Sequence, residues 1–371
     1  MRYARDLLRP HLNALIAITA ILVIVGSIFI YSASSVYAIE LFGDAGHYVK
    51  RQLFGLAIGI AGIIVVQFIP MRILQRGSPL FFLATIGFTA LTLVNRYTLH
   101  IHGSSRWLSL AGIRFQPSEL IKVTLVLYLA YLIDKKNERR SSFIHGYLPI
   151  LTAVALPCLI LLKQPDFGLT VTLSLTALSM LFVANYAMHY ILYTALVLAP
   201  FALGLVIMRP YRLQRVLSFL NPWSDPRGSG FQIIQSLIAI GSGGLFGLGI
   251  ANSKQKFFYL PMQHTDFIFS IIAEETGFMG SMILISLFIL FLYNGLRLAS
   301  RLHSRFASLA TFGFVALINL QATINICVAA SLVPTKGIGL PFVSYGNTAL
   351  VANLLMVGII INFVRNDAIR G

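Results

Sequence analysis

Charge is scarce in this chain. Asp, Glu, Lys and Arg make up only 11% of 371 residues, and acids are the rarer sign, 12 against 28 Lys and Arg. Soluble domains carry roughly a quarter charged residues, so this composition argues against a water-facing surface throughout. Cysteine is nearly absent: Cys158 and Cys327 both lie in apolar runs, which excludes a disulfide framework and a thiolate metal cluster. No segment recurs at a period of about 20–50 residues, which excludes a solenoid. No inverted half-repeat of the kind many transporters carry is visible. A net charge of +16 would suggest nucleic acid in a soluble protein, but no nucleic-acid module appears, and nucleic acid is not an expected partner.

What is abundant is apolar sequence. Hydrophobic residues are 57% of the chain and mean hydropathy is +0.82. Ten apolar segments stand near 12–33, 52–70, 79–95, 117–133, 146–163, 167–184, 187–208, 267–293, 306–331 and 348–364. A spanning helix needs ~20 residues to cross ~30 Å of hydrocarbon, and it satisfies its own backbone. The expectation is an all-α polytopic membrane protein with about ten transmembrane helices in a single domain over 1–371. The first apolar run is about 22 residues, too long for a signal-peptide core, so no cleavable signal is expected.

Short loops set the orientation. Arg2, Arg5 and Arg9, then Arg72 and Arg76, then Lys135, Lys136, Arg139 and Arg140, then Arg297, Arg301 and Arg305, then Arg365 and Arg370 all fall on one side if the spans alternate. The positive-inside rule makes that side cytoplasmic, with both termini there. The segment 209–266 becomes a large extracytoplasmic loop between helices 7 and 8. The other cations lie outside or at outer span ends, among them Arg106, Arg114, Arg212, Arg215 and Lys336. Long loops translocate regardless of charge, which covers 209–266. Arg106, Arg114 and Lys336 sit in short loops, and clustered cations there suit an anionic ligand.

Four outer regions carry polar detail. In 96–122, Pro117 suits a first helical turn, and Glu119 and Lys122 share one helix face. That pair reads equally as a structural ion pair and as part of a site. Lys163-Gln-Pro-Asp166 reads first as a tight turn with Asp166 capping a helix. In the long loop, Tyr211–Leu220 places Leu213, Val216, Leu217 and Leu220 at helical spacing with Arg212 and Arg215 elsewhere, a basic amphipathic helix for a membrane surface. A second short helix follows over 231–240. The glycine-rich run 241–249 matches no phosphate fingerprint and reads as a turn closing a re-entrant segment. Gln263-His-Thr-Asp266 precedes the eighth span, with Glu274 and Glu275 ~12 Å deeper. The three acids together suggest a polar cleft opening outward. Last, Leu332–Asn347 is a structured turn with Lys336 as its only charge.

Taken together these pieces resemble the SEDS family (FtsW, RodA and SpoVE), over the whole chain. They are Ser105-Arg-Trp107, Phe115-Gln-Pro-Ser-Glu119, Gln164-Pro-Asp166, Gln235-Ser236 before Gly243-Gly244, His264-Thr-Asp-Phe267, Ala273-Glu-Glu275 and Pro334-Thr-Lys-Gly337. Asn252-Ser-Lys-Gln-Lys256 with Tyr259-Leu-Pro261 looks more like the FtsW branch than the RodA branch. Asn347 stands where a second glycine is usual.

The resemblance implies a peptidoglycan glycosyltransferase in a bacterial cytoplasmic (inner) membrane, serving septal wall synthesis in cell division. It would polymerise lipid II onto a nascent glycan strand, with undecaprenyl pyrophosphate leaving. The implied partners are a class B penicillin-binding transpeptidase and other divisome proteins. The family's catalytic acid falls on Asp266, and its ion pair on Glu119 and Lys122. An inverting displacement needs a base for the acceptor hydroxyl and positive charge for the leaving diphosphate. Asp266 fits the first need. Arg106, Arg212, Arg215 and Lys336 fit the second. A divalent cation, magnesium or manganese, would suit the diphosphate too, though no ligand cluster shows itself. Alternatives are a lipid II flippase, an elongation polymerase of the RodA type, and a non-catalytic divisome scaffold.

Overall fold

The computed structural model describes residues 2–94, 98–101, 104–110, 113–208, 210–256, 260–335 and 337–370. The helices are α1 (Arg2–Phe42), α2 (His47–Gln67), α3 (Met71–Leu91), α4 (Pro117–Lys135), α5 (Leu148–Lys163), α6 (Phe167–Val183), α7 (Met188–Ile207), α8 (Pro210–Leu220), α9 (Phe231–Ser242), α10 (Ile268–Arg301), α11 (Arg305–Ala329) and α12 (Asn347–Arg370). Ten of them coincide with the apolar segments. The other two, α8 and α9, are the short helices of the 209–266 loop. Among the described residues seven helical stretches are long and apolar enough to cross a membrane, one of them Phe143–Lys163, which extends α5, while α3, α4 and α6 fall outside that group.

Local chemistry fixes the helix starts. Pro117 opens α4, where a missing N–H costs nothing. Asp166 caps α6 by accepting from Leu169 N at 3.2 Å. Ser304 caps α11 by accepting from Ala307 N at 3.5 Å. The core gathers around α11, whose Phe306, Phe314, Val315 and Ile318 are fully buried against α4, α6, α10 and α12. The outside is the reverse of a soluble protein. Large apolar side chains such as Ile24, Ile64, Leu83, Leu196, Val197 and Ile283 are exposed. Such a surface suits lipid and would aggregate in water.

Contacts sort the loops onto two ends. At one end Gln75 bonds Asp134 at 3.2 Å, Tyr190 bonds Ser141 O at 3.0 Å, Arg305 reaches Ala184 O at 3.5 Å, and His303 N bonds Asp367 at 2.9 Å. This is the end that carries the inner-loop arginines and lysines. The opposite end gathers residues 48, 106, 166, 266, 335 and 345.

The all-α expectation is corrected at one place. Residues 98–115 form a three-stranded antiparallel sheet of β1 (Thr98–Ile101), β2 (Ser104–Leu110) and β3 (Ile113–Phe115), paired Thr98↔Leu108 and Leu108↔Phe115. In β2 Trp107 falls on one face and Arg106 and Leu108 on the other, a short two-faced ribbon that a search for long apolar runs passes over.

Candidate active site

Asp266 sits in the turn that leads into α10, and that turn is held from several sides. Asn325 of α11 donates through Nδ2 to Asp266 O (2.8 Å) and to Ile338 O (2.7 Å), tying the turn to the 332–346 loop. Ser344 Oγ donates to Thr265 O at 2.6 Å, and Tyr345 N donates to His264 O at 2.9 Å. From the other side Gln263 donates to Ala33 O of α1 at 2.7 Å. Gly337 stands directly over the carboxylate: a methyl there would lie 3.6 Å from Asp266 Oδ2.

The cations arrive on separate elements. Arg106 projects from β2 and is anchored at the α5–α6 turn, donating through Nε to Gln164 O (3.1 Å) and through Nη2 to Pro165 O (2.6 Å). Its Nη1 lies 3.5 Å from Asp166 Oδ2. Arg215 projects from α8 and donates to Thr335 O at 3.2 Å, so the amphipathic helix is docked onto the 332–346 loop. Half-burial lifts the Asp266 carboxyl from the usual range up to about 6, while the charges of Arg215 and Arg106 pull it down and that of Asp166 pushes it up. Asp166 is itself buried, and desolvation raises its carboxyl against the pull of Arg106. Burial also holds His264 neutral, its imidazole pushed down to about 4.

The structure therefore brings Arg106, Arg215 and Asp266 together and adds Asp166, which the sequence argument left as a simple cap. It is a cap and an ion-pair partner at once. The Gln-Pro-Asp motif was the available signal, and nothing in the local pattern tells the second role from the first. Asn325 was passed over because it is one amide inside an apolar span.

Glu119 and Lys122 form an ion pair on α4, and Lys122 also donates to Gln321 Oε1 of α11 at 3.3 Å. Lys122 is 1% exposed. Both groups act on Asp166 through space. As a direct substrate ligand Lys122 is corrected, because it is enclosed between Glu119 and Gln321, whereas Glu119 keeps partial exposure. Lys336 lies outside the described residues, as does the side chain of Arg212.

The outward cleft expected from the three acids is corrected as well. Glu274 and Glu275 are each 1% exposed and bonded inward, to Ser253, Lys254 N and Ser32. Among the described residues no three His, Cys, Asp or Glu side chains gather as a metal site. The carboxylates nearest the cations are Asp166 and Asp266, a donor set that would hold a divalent ion only together with water and the phosphates of a ligand.

Comparison with known proteins identifies the family. The family model described as cell cycle protein, covering FtsW, RodA and SpoVE, matches residues 13–368. A Geobacter sp. (strain M18) protein named Probable peptidoglycan glycosyltransferase FtsW is 40% identical, over 92% of this chain and 93% of its own. Stage V sporulation protein E of Bacillus subtilis (strain 168) is 38% identical, over 95% and 96%. Among solved structures, one concerned with coordination of polymerization and crosslinking by a peptidoglycan synthase complex aligns with a TM-score of 0.79 at 29% identity, covering 95% of this chain and 97% of that one. The rod shape determining protein RodA of Thermus thermophilus aligns with a TM-score of 0.71 at 26% identity, over 95% and 96%. Membrane-crossing helices, the loop motifs and these likenesses converge, and the chain belongs to the FtsW/RodA/SpoVE family of cell cycle proteins.

Proposed function

We propose that this protein is a peptidoglycan glycosyltransferase that polymerises lipid II, with Asp266 as general base. One observation carries the reading: a half-buried carboxylate lies beside a loop cluster at one end of a membrane bundle, and Arg106 and Arg215, anchored on neighbouring loops, act on it through space. In the reaction Asp266 takes the proton of the acceptor sugar's hydroxyl. The freed oxygen pair attacks the anomeric carbon of an α-linked donor. The bond from that carbon to the diphosphate oxygen breaks, its electrons leave with undecaprenyl pyrophosphate, and the new linkage is β. Arg106 and Arg215 offset the charge that grows on the leaving diphosphate, in a site dry enough for them to count. Lys336 and Arg212 are proposed to join them.

The wider setting follows from the same reading. In this reading the chain has ten spans with both termini cytoplasmic, and Asp266 lies at the outer face of the bacterial inner membrane, where the sugar headgroups of lipid II lie. The polyprenyl chains stay in lipid between helices. The likeness to a chain from a peptidoglycan synthase complex that coordinates polymerization and crosslinking supports a transpeptidase partner, which we take to be of class B.

The test is labelled lipid II with purified protein in liposomes, with and without that transpeptidase. Glycan chains that vanish in Asp266→Ala support the proposal. Lipid translocation unaffected by Asp266→Ala, without polymer, turns the reading to a flippase, and neither activity leaves a scaffold.

A further inference from the structure

Helix α10 is broken inside the bundle. Gly277 has φ 70° and ψ −164°, a conformation open essentially only to glycine. The backbone groups freed by the break are met by the re-entrant run 244–249. Leu248 N and Gly249 N donate to Glu274 O and Glu275 O, both at 3.0 Å. Phe278 N and Met279 N donate to Gly244 O (2.8 Å) and Leu245 O (3.1 Å). The two backbones touch: a Cβ on Gly277 would lie 2.3 Å from Gly247 N, and one on Gly247 would lie 2.2 Å from Glu275 O. The first two turns of α10, which carry Asp266 at their head, are thereby fastened to the loop more than to the rest of their own helix.

Side chains complete the fastening. Glu274 accepts from Lys254 N (2.9 Å), Gln255 N (3.4 Å) and Ser253 Oγ. Glu275 accepts from Ser32 Oγ of α1 (2.6 Å) and Ser253 N (3.3 Å), and Lys256 Nζ lies 3.8 Å from it. Lys256 O in turn accepts from Gln263 Nε2 at 3.2 Å, and the same Nε2 donates to Ala33 O. Ser32, Ser253, Lys256, Gln263, Glu274 and Glu275 are all at least nine-tenths buried. Gln263 thus links this cluster to the turn holding Asp266, three residues on.

We propose that Gln263, Lys256 and Glu275 are positioning residues for the glycosyl transfer, an internal clasp that sets where the Asp266 carboxylate points. This rests on the reading of Asp266 as the base. Apolar packing of the same volume would fasten the loop at least as firmly as a buried ion pair, so stability alone gives no reason for charge here. Directional bonds give what packing does not, a fixed angle for the turn. The opposite side of the same turn is held by Asn325, so the carboxylate sits between two independent anchors.

The experiment uses the full chain in liposomes, with its transpeptidase partner present, on labelled lipid II. Gln263→Met keeps the length and removes the N–H donors without adding charge, and Glu275→Gln keeps the shape and removes the charge. Asp266→Asn is run beside them, with kcat, KM, a pH profile and thermal unfolding for each. The charged groups facing Asp266, namely Arg106, Arg215 and Asp166, are untouched in these variants. The expected result for Gln263→Met is a fall in kcat of about 10- to 100-fold, the scale of a 1 Å misplacement, with KM nearly unchanged. The acid limb of the profile moves to lower pH as the loosened carboxylate gains water. Unchanged kcat in folded Gln263→Met overturns the proposal. So does a fall in kcat that tracks thermal stability and leaves the acid limb in place, which is what a merely structural role gives. Should Glu275→Gln fail to fold, Gln263→Met decides alone. Should Asp266→Asn retain activity, the base itself is misassigned and the clasp proposal falls with it.

Discussion

Two sets of carboxylates stand eight and nine residues apart on one stretch of chain, and the protein treats them in opposite ways. Glu274 and Glu275 are sealed, with backbone N–H groups, serine hydroxyls and Lys256 gathered on their oxygens. Asp266 is half-buried, and among the described residues no donor is hydrogen-bonded to its carboxylate, while Arg106 and Arg215 act on it from a distance. Both of these side chains are 1% exposed and held inward by donors on Glu274 and on Glu275 Oε1, so neither can meet a substrate hydroxyl. A carboxylate held between cations, raised by burial and left open on its oxygens, can accept a substrate proton. The same side-chain chemistry is spent on architecture in one place and reserved for reaction in the other.

The largest test of that contrast is Asp266→Asn. Loss of a general base costs about 10²- to 10⁴-fold in rate. Stability should move the other way. A carboxyl whose folded pKa is raised to about 6 favours its neutral form in the folded state, so its contribution is present below the unfolded value and lost as pH rises through about 6. At neutral pH the ionised Asp266 costs up to about 3 kcal/mol, which an uncharged isostere escapes. Glycan synthesis should vanish while the unfolding temperature rises. The sealed pair should behave oppositely, Glu275→Gln lowering the unfolding temperature. Equal signs for the two variants would break the comparison.

Next in size is Arg106→Ala. It leaves Asp166 buried without its partner and frees two carbonyls at the α5–α6 turn. A stability loss of about 1–3 kcal/mol is expected, discounted from fully buried pairs because Arg106 keeps some exposure. Activity should fall more than stability explains. Arg106→Lys should recover little, since one ammonium cannot span Gln164 O, Pro165 O and the carboxylate.

What the sequence made legible, and what it hid, divides along physical lines. The long helices were readable because lipid demands ~20 apolar residues in a row, and that demand is written locally. Asp266 was readable because it ends a loop just where a span begins. Lys122 was misread as a ligand, since spacing on a helix face gives a neighbour but not burial. Asp166 was passed over, because its partner Arg106 lies on a strand 60 residues away in sequence. The clasp was invisible for the same reason: the break at Gly277 and the bond from Ser32 to Glu275 exist only once distant segments meet.

A third test is the pH profile itself. Activity should rise with pH through about 6, since the base must be ionised. His264 is two residues away and would ordinarily titrate nearby, but burial pushes it down to about 4, so His264→Gln should leave the limb where it is. A limb that disappears in His264→Gln would move the titration from the carboxylate to the imidazole and undo the assignment.

The smallest expected effect, and the finest probe of the contrast, comes from Gly337→Ala. The Gly337 backbone is not in the left-handed region and the new methyl would lie 3.6 Å from Asp266 Oδ2, an ordinary contact, so the fold should not notice. The chemistry should. One methyl against the open oxygen narrows the approach of the acceptor hydroxyl and removes some water from the carboxylate. KM for lipid II should rise by about threefold to tenfold, the low end for one methyl in a pocket. The acid limb should creep above 6, opposite to the shift expected when Gln263 is replaced. A matching methyl at Gly247 has no room at all, because it would meet Glu275 O at 2.2 Å, and that variant should fail to fold rather than lose affinity. The pair of alanines therefore separates the open carboxylate from the sealed ones by the kind of damage each does.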